Sequence, residues 1–274
     1  MRRWRERWLR AGLAVVAFAL AGLGTWVAMP LPGGMLGEPG AGSLRIEDRH
    51  GLLLRATRAD DGNRSGWIPL TAMDPDLPVA FVAVEDRRFY QHHGVDLRAV
   101  ARALRDNLRQ RRIVSGASTI TMQLARLLRP IRRAPIDKLI QAAWALRLEA
   151  HLSKQEILEQ YLNRVPLGQG TAGVAAAMRL YFGSSAAEAS LGQAALLAAL
   201  ARTPSSQNPL VASGAARHRR AIGLTTLEVQ GYASREEIAR AGQEPLLGFA
   251  GSPPFLAPHF TSRLLQWGEG EGRA

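Results

Sequence analysis

The 274-residue sequence contains no cysteine, which excludes disulfide bonds, thiolate nucleophiles and cysteine-based zinc sites. Lysine is almost absent as well: Lys138 and Lys154 are the only lysines among 35 cationic residues, and the others are arginines. Charged residues make up 21% and hydrophobic residues 47% of the chain, a composition that excludes wholesale disorder. We therefore expect a folded protein with a sizeable apolar core.

The formal net charge of +12 at first suggests a nucleic-acid partner. The skew toward arginine is instead typical of a compositional bias, which raises the isoelectric point without a functional meaning. The hydrophobic segment described next places most of the chain across a membrane from the cytoplasm, so we expect no nucleic-acid partner.

That segment, residues 11–29, consists of uncharged and mostly apolar positions, and at about 1.5 Å per residue it is long enough to cross a bilayer. Arginines crowd residues 1–10, and none follows the segment until Arg45, so the positive-inside rule predicts a cytoplasmic N-terminal tail. A signal peptide cleaved near Ala21 is the alternative. Because the apolar run continues past Ala21, we expect a retained single-pass transmembrane anchor.

Beyond the anchor, composition divides the chain into a linker, one domain and a tail. Residues 30–43 are rich in proline and glycine and predict a linker. Residues 44–57 alternate around a central turn and predict a short β-hairpin, and from Asp76 onward the pattern is helical almost throughout. We expect a mainly α domain over residues 44–245 and a C-terminal tail over residues 246–274, whose last residues, 268–274, are frayed.

One predicted helix carries two parallel stripes of side chains. Its apolar stripe consists of Leu97, Val100, Ala101, Leu104 and Leu108. Its basic stripe consists of Arg98, Arg102, Arg105 and Arg109. The pattern fits either a surface helix whose arginines face water or a basic amphipathic helix lying against anionic lipid headgroups.

Two further helices begin with capping-box sequences, Ser153 with Glu156 and Ser190 with Gln193. In such a box the side chain of the fourth residue bonds back to the start of its own helix. We therefore expect a structural role for Glu156, not a catalytic one.

The segment Val84–Gly94 contains a candidate catalytic carboxylate, Glu85. If this segment is helical, Glu85, Phe89 and His92 share one face. Glu85 follows an apolar run, and partial desolvation is expected to raise its pKa toward the range of a general base. The alternative is an ordinary helix-end carboxylate paired with a neighbouring arginine, and the residues alone leave both open.

A second segment, Gly116–Arg126, collects hydroxyl and amide side chains at a predicted helix start, where free N–H groups favour phosphate oxygens. The alternative is that Ser118 is only an N-cap and that the threonines fill space. Three cations suited to phosphate are Arg126, Lys138 and Arg202. Their spacing in the sequence does not bring them together.

Three motifs stand in order along the chain: Glu85-Asp86-x-x-Phe89-x-x-His92-x-Gly94, Gly116-x-Ser118-Thr119-x-Thr121-x-Gln123 and Glu156-Ile-Leu-x-x-Tyr161-Leu-Asn163. Together they resemble the peptidoglycan glycosyltransferase domain of family 51, which occurs in class A penicillin-binding proteins. The resemblance covers roughly residues 44–209. Met122, Gln141 and the segment Trp144–Glu149 are similar to the penicillin-binding protein 1C branch of that class.

The resemblance implies a lysozyme-like, mainly α fold on the periplasmic face of the bacterial cytoplasmic (inner) membrane. It also implies an inverting reaction on lipid II: the 4-hydroxyl of an acceptor GlcNAc attacks C1 of a donor MurNAc, and undecaprenyl pyrophosphate leaves. Glu85 corresponds to the general base. The positions implied to bind substrate are Asp86, Phe89, His92, Gly94, Gly116, Ser118, Thr119, Thr121, Gln123, Arg126, Lys138, Gln141, Asn163 and Arg202. The implied partners are lipid II, the growing glycan strand, the membrane and other cell-wall synthesis proteins.

The sequence also departs from the family pattern. Gln141 stands where most members have a glutamate linked to metal and pyrophosphate, and Asp137 stands where an arginine is usual. An amide is a poor ligand for Mg²⁺ or Mn²⁺, so the resemblance leaves the dependence on these ions open. The transpeptidase motifs Ser-x-x-Lys and Lys-Thr-Gly are absent from the sequence, so we expect a monofunctional or truncated chain without transpeptidase activity.

Two other functions remain open at the level of sequence. A lysozyme-like glycan hydrolase or lytic transglycosylase also uses one glutamate, but it needs neither a phosphate-facing motif nor a membrane anchor. A non-catalytic scaffold that binds lipid II or wall proteins is favoured by Gln141 and by the missing transpeptidase motifs.

Overall fold

The computed structural model describes residues 2–37, 45–50, 53–57, 66–112, 116–130, 135–201, 213–246 and 256–271. The chain divides into two compact units: the first unit is Met1–Leu36 with Arg88–Ile157, and the second unit is Gly37–Arg87 with Leu158–Ala274. The helices are α1 (Arg2–Ala28), α2 (Asp76–Glu85), α3 (Leu97–Gln110), α4 (Ile120–Leu128), α5 (Pro135–His151), α6 (Lys154–Leu162), α7 (Val174–Phe182), α8 (Leu191–Ala201), α9 (Ser213–Val229), α10 (Arg235–Gln243) and α11 (Pro258–Glu271). The strands are β1 (Arg45–Glu47), β2 (Leu53–Ala56), β3 (Pro166–Gly168) and β4 (Thr171–Ala172).

The predicted mainly α class and the N-terminal hairpin are confirmed. Strand β1 pairs with β2 in antiparallel register, with Ile46 opposite Arg55. A second hairpin, β3 with β4, follows α6 and was not predicted. Within the predicted C-terminal tail the structure has a helix, α11, which begins with Pro258, a favoured first helical residue, and whose Thr261 is fully buried.

In the first unit, α1 contains the segment Arg10–Ala28, whose mean hydropathy of 1.9 and length are sufficient to cross a membrane. The end of α1 is fixed to α5. The rings of Trp26 and Trp144 meet edge to face with centroids 4.9 Å apart, and the Arg147 guanidinium lies over both. Arg147 also donates hydrogen bonds to the carbonyls of Met29 (3.1 Å) and Pro30 (2.5 Å), the two residues that directly follow α1.

The core of the second unit is built on α8, where a run of alanines and leucines is completely buried between α2 and α9. Gly223 of α9 lies against the carbonyl of Ala195: a Cβ at Gly223 would be 2.5 Å from that oxygen. The two helices therefore approach closely only because Gly223 has no side chain. The predicted start of α8 is confirmed, since the Ser190 N–H donates to Gln193 Oε1 (3.0 Å) and the Gln193 N–H donates to Ser190 Oγ (3.2 Å).

Gly94 joins three segments of the first unit. Its φ of +85° is in the left-handed region, and a Cβ there would lie 2.7 Å from the carbonyl oxygen of Ala145 in α5. The Gly94 carbonyl accepts a hydrogen bond from the Thr119 hydroxyl (2.6 Å), which also accepts from the Met122 N–H (3.0 Å) and so caps α4. Thr119, not Ser118, is therefore the N-cap of this helix.

We predict that Gly94→Ala destabilises the protein by about 3 kcal/mol, because the left-handed backbone and the contact with Ala145 each oppose a methyl group. Gly116→Ala is the matched control, since a Cβ at Gly116 meets nothing within 4 Å. The measurement is urea unfolding of the detergent-solubilised protein. Equal midpoints for the two variants would contradict the prediction.

Candidate active site

Glu85 is the last residue of α2, a helix whose apolar side chains are almost all buried. The end of the helix is fixed, because Gln230, the residue after α9, donates a hydrogen bond to the Ala83 carbonyl (2.8 Å). Glu85 is partly exposed, and its Oε1 atom is buried. The second unit thus presents a carboxylate that is partly withdrawn from water on a rigid support, as a general base requires.

The segment Val84–Gly94 is not one helix, so the condition for stacking Glu85, Phe89 and His92 on one face is not met. The helix ends at Glu85 because Asp86, with φ −152° and ψ 73°, has left the α-helical region, and the segment Phe89–Gln91 forms a separate 3₁₀ turn. The three side chains therefore do not share a helix face. Asp86 is itself buried, and its N–H still bonds to the Val82 carbonyl (3.0 Å).

In the first unit, Lys154 is the centre of a polar cluster. Its Nζ atom donates to Glu149 Oε1 (2.6 Å) and to the His92 carbonyl (2.6 Å), and it lies 4.4 Å from the centre of the buried Phe89 ring. Glu149 Oε1 also accepts from the Thr121 hydroxyl (2.7 Å). The Lys154 cluster therefore ties the first motif, α4 and α5 to the start of α6.

Lys154 is not among the site residues predicted from the sequence. A usable signal was its rarity, because Lys138 and Lys154 are the only lysines in a chain whose other cations are all arginines. An ammonium can reach a carboxylate, a carbonyl and a ring face at once, whereas a planar guanidinium is larger and more directional.

The other lysine brings two separate predictions together. Lys138 of α5 donates a hydrogen bond to Ser118 Oγ at 2.8 Å, just before the start of α4. Lys138 is exposed and Ser118 is partly exposed, so both remain accessible to a ligand. A hydroxyl, an ammonium and a helix N-terminus in one place favour an anionic group such as phosphate.

Three more candidates lie further along the same two helices. Gln123 is partly exposed on α4, and Arg126, three residues later on the same face, is exposed. Gln141 is partly exposed on α5, three residues after Lys138. Helices α4 and α5 pack against each other, so these side chains belong to one helical pair. Arg202 lies outside the described residues.

Several motif residues serve the fold. Asn163 is fully buried, and its amide bonds to both the N–H and the carbonyl of Ile68 (2.9 Å each) and to the Glu159 carbonyl (2.9 Å). The hydroxyls of Thr119 and Thr121 likewise form hydrogen bonds within the first unit. Gly116, in contrast, is exposed.

The predicted structural role of Glu156 agrees with its contacts. Its carboxylate accepts from the Ser153 N–H and hydroxyl (2.7 Å each), and its own N–H donates to Ser153 Oγ (3.2 Å). The bonds from Ser153 lower the pKa of Glu156 below its usual value, so this carboxylate stays ionised and is unsuited to act as an acid.

The residues of the site do not fit a resident metal ion. Within the part of the chain that the structure describes, no three His, Asp or Glu side chains lie close enough together to hold one. At the position where a carboxylate would serve, Gln141 supplies a neutral amide, and Asp137 one turn earlier is buried.

We predict that Lys154→Met destabilises the protein by about 3 kcal/mol, because it leaves the Glu149 carboxylate, whose side chain is 5% exposed, without its counter-ion. The double variant Lys154→Met/Glu149→Gln should recover part of the loss, since no buried charge then remains. Both are measured by urea unfolding in detergent. A double variant no more stable than the single one would contradict this account.

Comparison with known proteins places these features in a family. Residues 51–228 match the sequence profile of the Transglycosylase family. The chain is 37% identical over 263 residues to penicillin-binding protein 1C of Escherichia coli K12, covering 95% of this chain and 33% of that protein. It is 40% identical over 181 residues to a Cupriavidus necator protein provisionally named a transglycosylase, covering 66% of this chain and 78% of that protein. The crystal structure of penicillin-binding protein 1A from Haemophilus influenzae matches with a TM-score of 0.46 and 25% identity, over 82% of this chain and 23% of that one.

The chain thus spans about a third of the length of the E. coli penicillin-binding protein 1C. The family profile covers more than half of the chain, from between β1 and β2 into the last turn of α9. The resemblance predicted from the three motifs is confirmed, and the chain belongs to the transglycosylase family of the penicillin-binding proteins.

Proposed function

We propose that the chain is a membrane-anchored peptidoglycan glycosyltransferase that polymerises lipid II on the periplasmic face of the cytoplasmic membrane and releases undecaprenyl pyrophosphate. The observation that carries the proposal is the 2.8 Å contact between Lys138 and Ser118 at the start of α4. A substrate with a pyrophosphate needs such a group of donors. A glycan hydrolase acts on a substrate without phosphate and has no use for it.

In the proposed reaction, Glu85 accepts the proton of the acceptor 4-hydroxyl as its oxygen attacks C1 of the donor sugar. The bond from C1 to the pyrophosphate oxygen breaks on the opposite side, with inversion. Negative charge then grows on the leaving group, and Lys138 and Arg126 lower the barrier by stabilising it, with Arg202 as a further proposed cation. Ser118 and Gln123 hold the donor by hydrogen bonds.

The proposal also includes the anchor. The apolar segment of α1 and the arginines that precede it support a single membrane span with residues 1–10 in the cytoplasm. A lipid-linked substrate is confined to the membrane, and an anchored enzyme shares its surface.

Glu85→Gln keeps the size of the side chain but cannot accept a proton, so we expect polymerisation to fall by at least about 10²-fold while lipid II still binds. Glu156→Gln is the matched control, because glutamine also completes a capping box and should leave activity near the wild-type level. The assay incubates detergent-solubilised protein with lipid II and separates products by size.

Activity of Glu85→Gln within a few fold of wild type would remove Glu85 from its role. Shortening of supplied glycan by the wild-type protein would favour a hydrolase. Binding of lipid II with no product of either kind would favour a scaffold.

Gln141 generates a separate prediction about charge neutralisation. If α5 faces the leaving group, cations must compensate the pyrophosphate more than a metal does, because an amide binds Mg²⁺ poorly. We expect polymerisation to survive chelation of divalent ions better than in relatives with glutamate at this position. We also expect Arg126→Ala to cost about 10²-fold, the scale of losing one fixed donor to a developing charge.

The Gln141→Glu variant checks this in the same assay. Lower activity than wild type would support a working arrangement built on the amide. A gain of both activity and a metal requirement would mean that the wild-type chain is a weakened form of the common design.

A further inference from the structure

Helix α2 ends at Glu85, and the carbonyls of its last turn therefore lack the donors that a longer helix would supply. The Val82 carbonyl is bound by the Asp86 N–H (3.0 Å). The next carbonyl, that of Ala83, would accept from the N–H four residues on, but the backbone leaves the helical region at Asp86. It accepts instead from the side-chain Nε2 atom of Gln230 (2.8 Å). A side chain from outside the helix thus replaces a hydrogen bond that the break removes.

The backbone of Gln230 is fixed by the way in which α9 ends. The Tyr232 N–H donates to the Leu227 carbonyl and the Gly231 N–H donates to the Glu228 carbonyl, both at 3.0 Å. These two bonds form a Schellman motif with Gln230 as its C-cap, and the φ of +74° at Gly231 completes the motif. Helix α9 itself packs against α2 and α8. The amide that reaches α2 is therefore attached to a rigid support.

The oxygen of the same amide lacks a donor. Gln230 Oε1 is buried, and within the residues that the structure describes it accepts no hydrogen bond. A buried carbonyl oxygen without a donor is destabilising. A lysine could bind the Ala83 carbonyl without leaving such an oxygen, but its positive charge at this helix end would stabilise ionised Glu85 and weaken it as a base. A neutral donor at this place favours the chemistry of Glu85 over the stability of the fold.

We propose that Gln230 is a positioning residue for the general base: its amide holds the last turn of α2 and so fixes the place of the Glu85 carboxylate. The inference rests on the role of Glu85 in the proposed function. A base works only when its oxygen lies within hydrogen-bond distance of the proton that it accepts. A misplacement of about 1 Å can lower the rate by about 10²-fold.

The test compares two variants of the detergent-solubilised full chain, Gln230→Met, which has a similar size and cannot donate, and Thr226→Val. Thr226 lies one turn earlier and donates to the Ile222 carbonyl (2.8 Å), so Thr226→Val removes a hydrogen bond of the same kind that does not reach α2. In the lipid II assay we expect Gln230→Met to lower kcat by about 10-fold and to leave KM within about twofold of wild type. Thr226→Val should keep both near the wild-type values.

A double-mutant cycle separates positioning from a general loss of stability. In the Glu85→Gln background no base remains to be positioned, so adding Gln230→Met should change the residual rate by less than about twofold. A merely structural Gln230 would lower the rate by the same factor in both backgrounds. That result, or a kcat of Gln230→Met equal to that of Thr226→Val, would overturn the proposal.

Hydrogen exchange at the backbone amides of residues 84–86 reports directly on the last turn of α2 and needs no substrate. We expect several-fold faster exchange in Gln230→Met than in Thr226→Val, and equal exchange would overturn the proposal. Gln230→Glu keeps the shape of the side chain and lacks the donor at neutral pH, so it should reproduce both effects even if Gln230→Met does not fold. A wild-type chain that makes no polymer would refute the proposed function, and this proposal with it, whatever the exchange shows.

Discussion

A buried carboxylate in a folded protein needs a counter-ion, and in the first unit this carboxylate is that of Glu149. Its counter-ion is the Lys154 ammonium group, which also binds the His92 carbonyl and lies against the Phe89 ring. Because the same carboxylate accepts from Thr121, the pair fixes the segment after α2, the first turn of α4 and the end of α5 relative to one another. The donors at the start of α4 are positioned on this framework.

Features that depend on neighbouring residues were predictable from the sequence. The starts of α6 and α8 follow from Ser153 and Ser190, because a capping box needs only residues three apart. The break after Glu85 was not predictable in this way. No proline or glycine marks it, and the apolar run before Glu85 reads as a helix that continues. The backbone of Asp86 is set by tertiary packing, which local propensity does not contain.

In the candidate site, too, the residues could be identified from the sequence, whereas their contacts depend on tertiary packing. Motif resemblance identified Ser118 and Lys138 separately, but their contact is a product of the packing of α4 on α5. Asn163 belongs to a motif, yet its buried amide holds Ile68 in place, so a motif position can serve the fold. In helix α3 the apolar periodicity was recognised from the sequence. Periodicity alone does not reveal that alanines, and not leucines, form the packed face.

The hydrogen bonds from Arg147 to the carbonyls of Met29 and Pro30 fix the end of α1 directly to α5. In a bilayer, the height of α5 above the hydrocarbon is then set by the length of the span and not by a flexible tether. One residue inserted into α1 would shift α5 by about 1.5 Å and turn it by about 100°. If α1 spans the bilayer, a thinner or thicker bilayer tilts the whole first unit, and hydrophobic mismatch then changes the angle at which Ser118 and Lys138 meet the lipid surface.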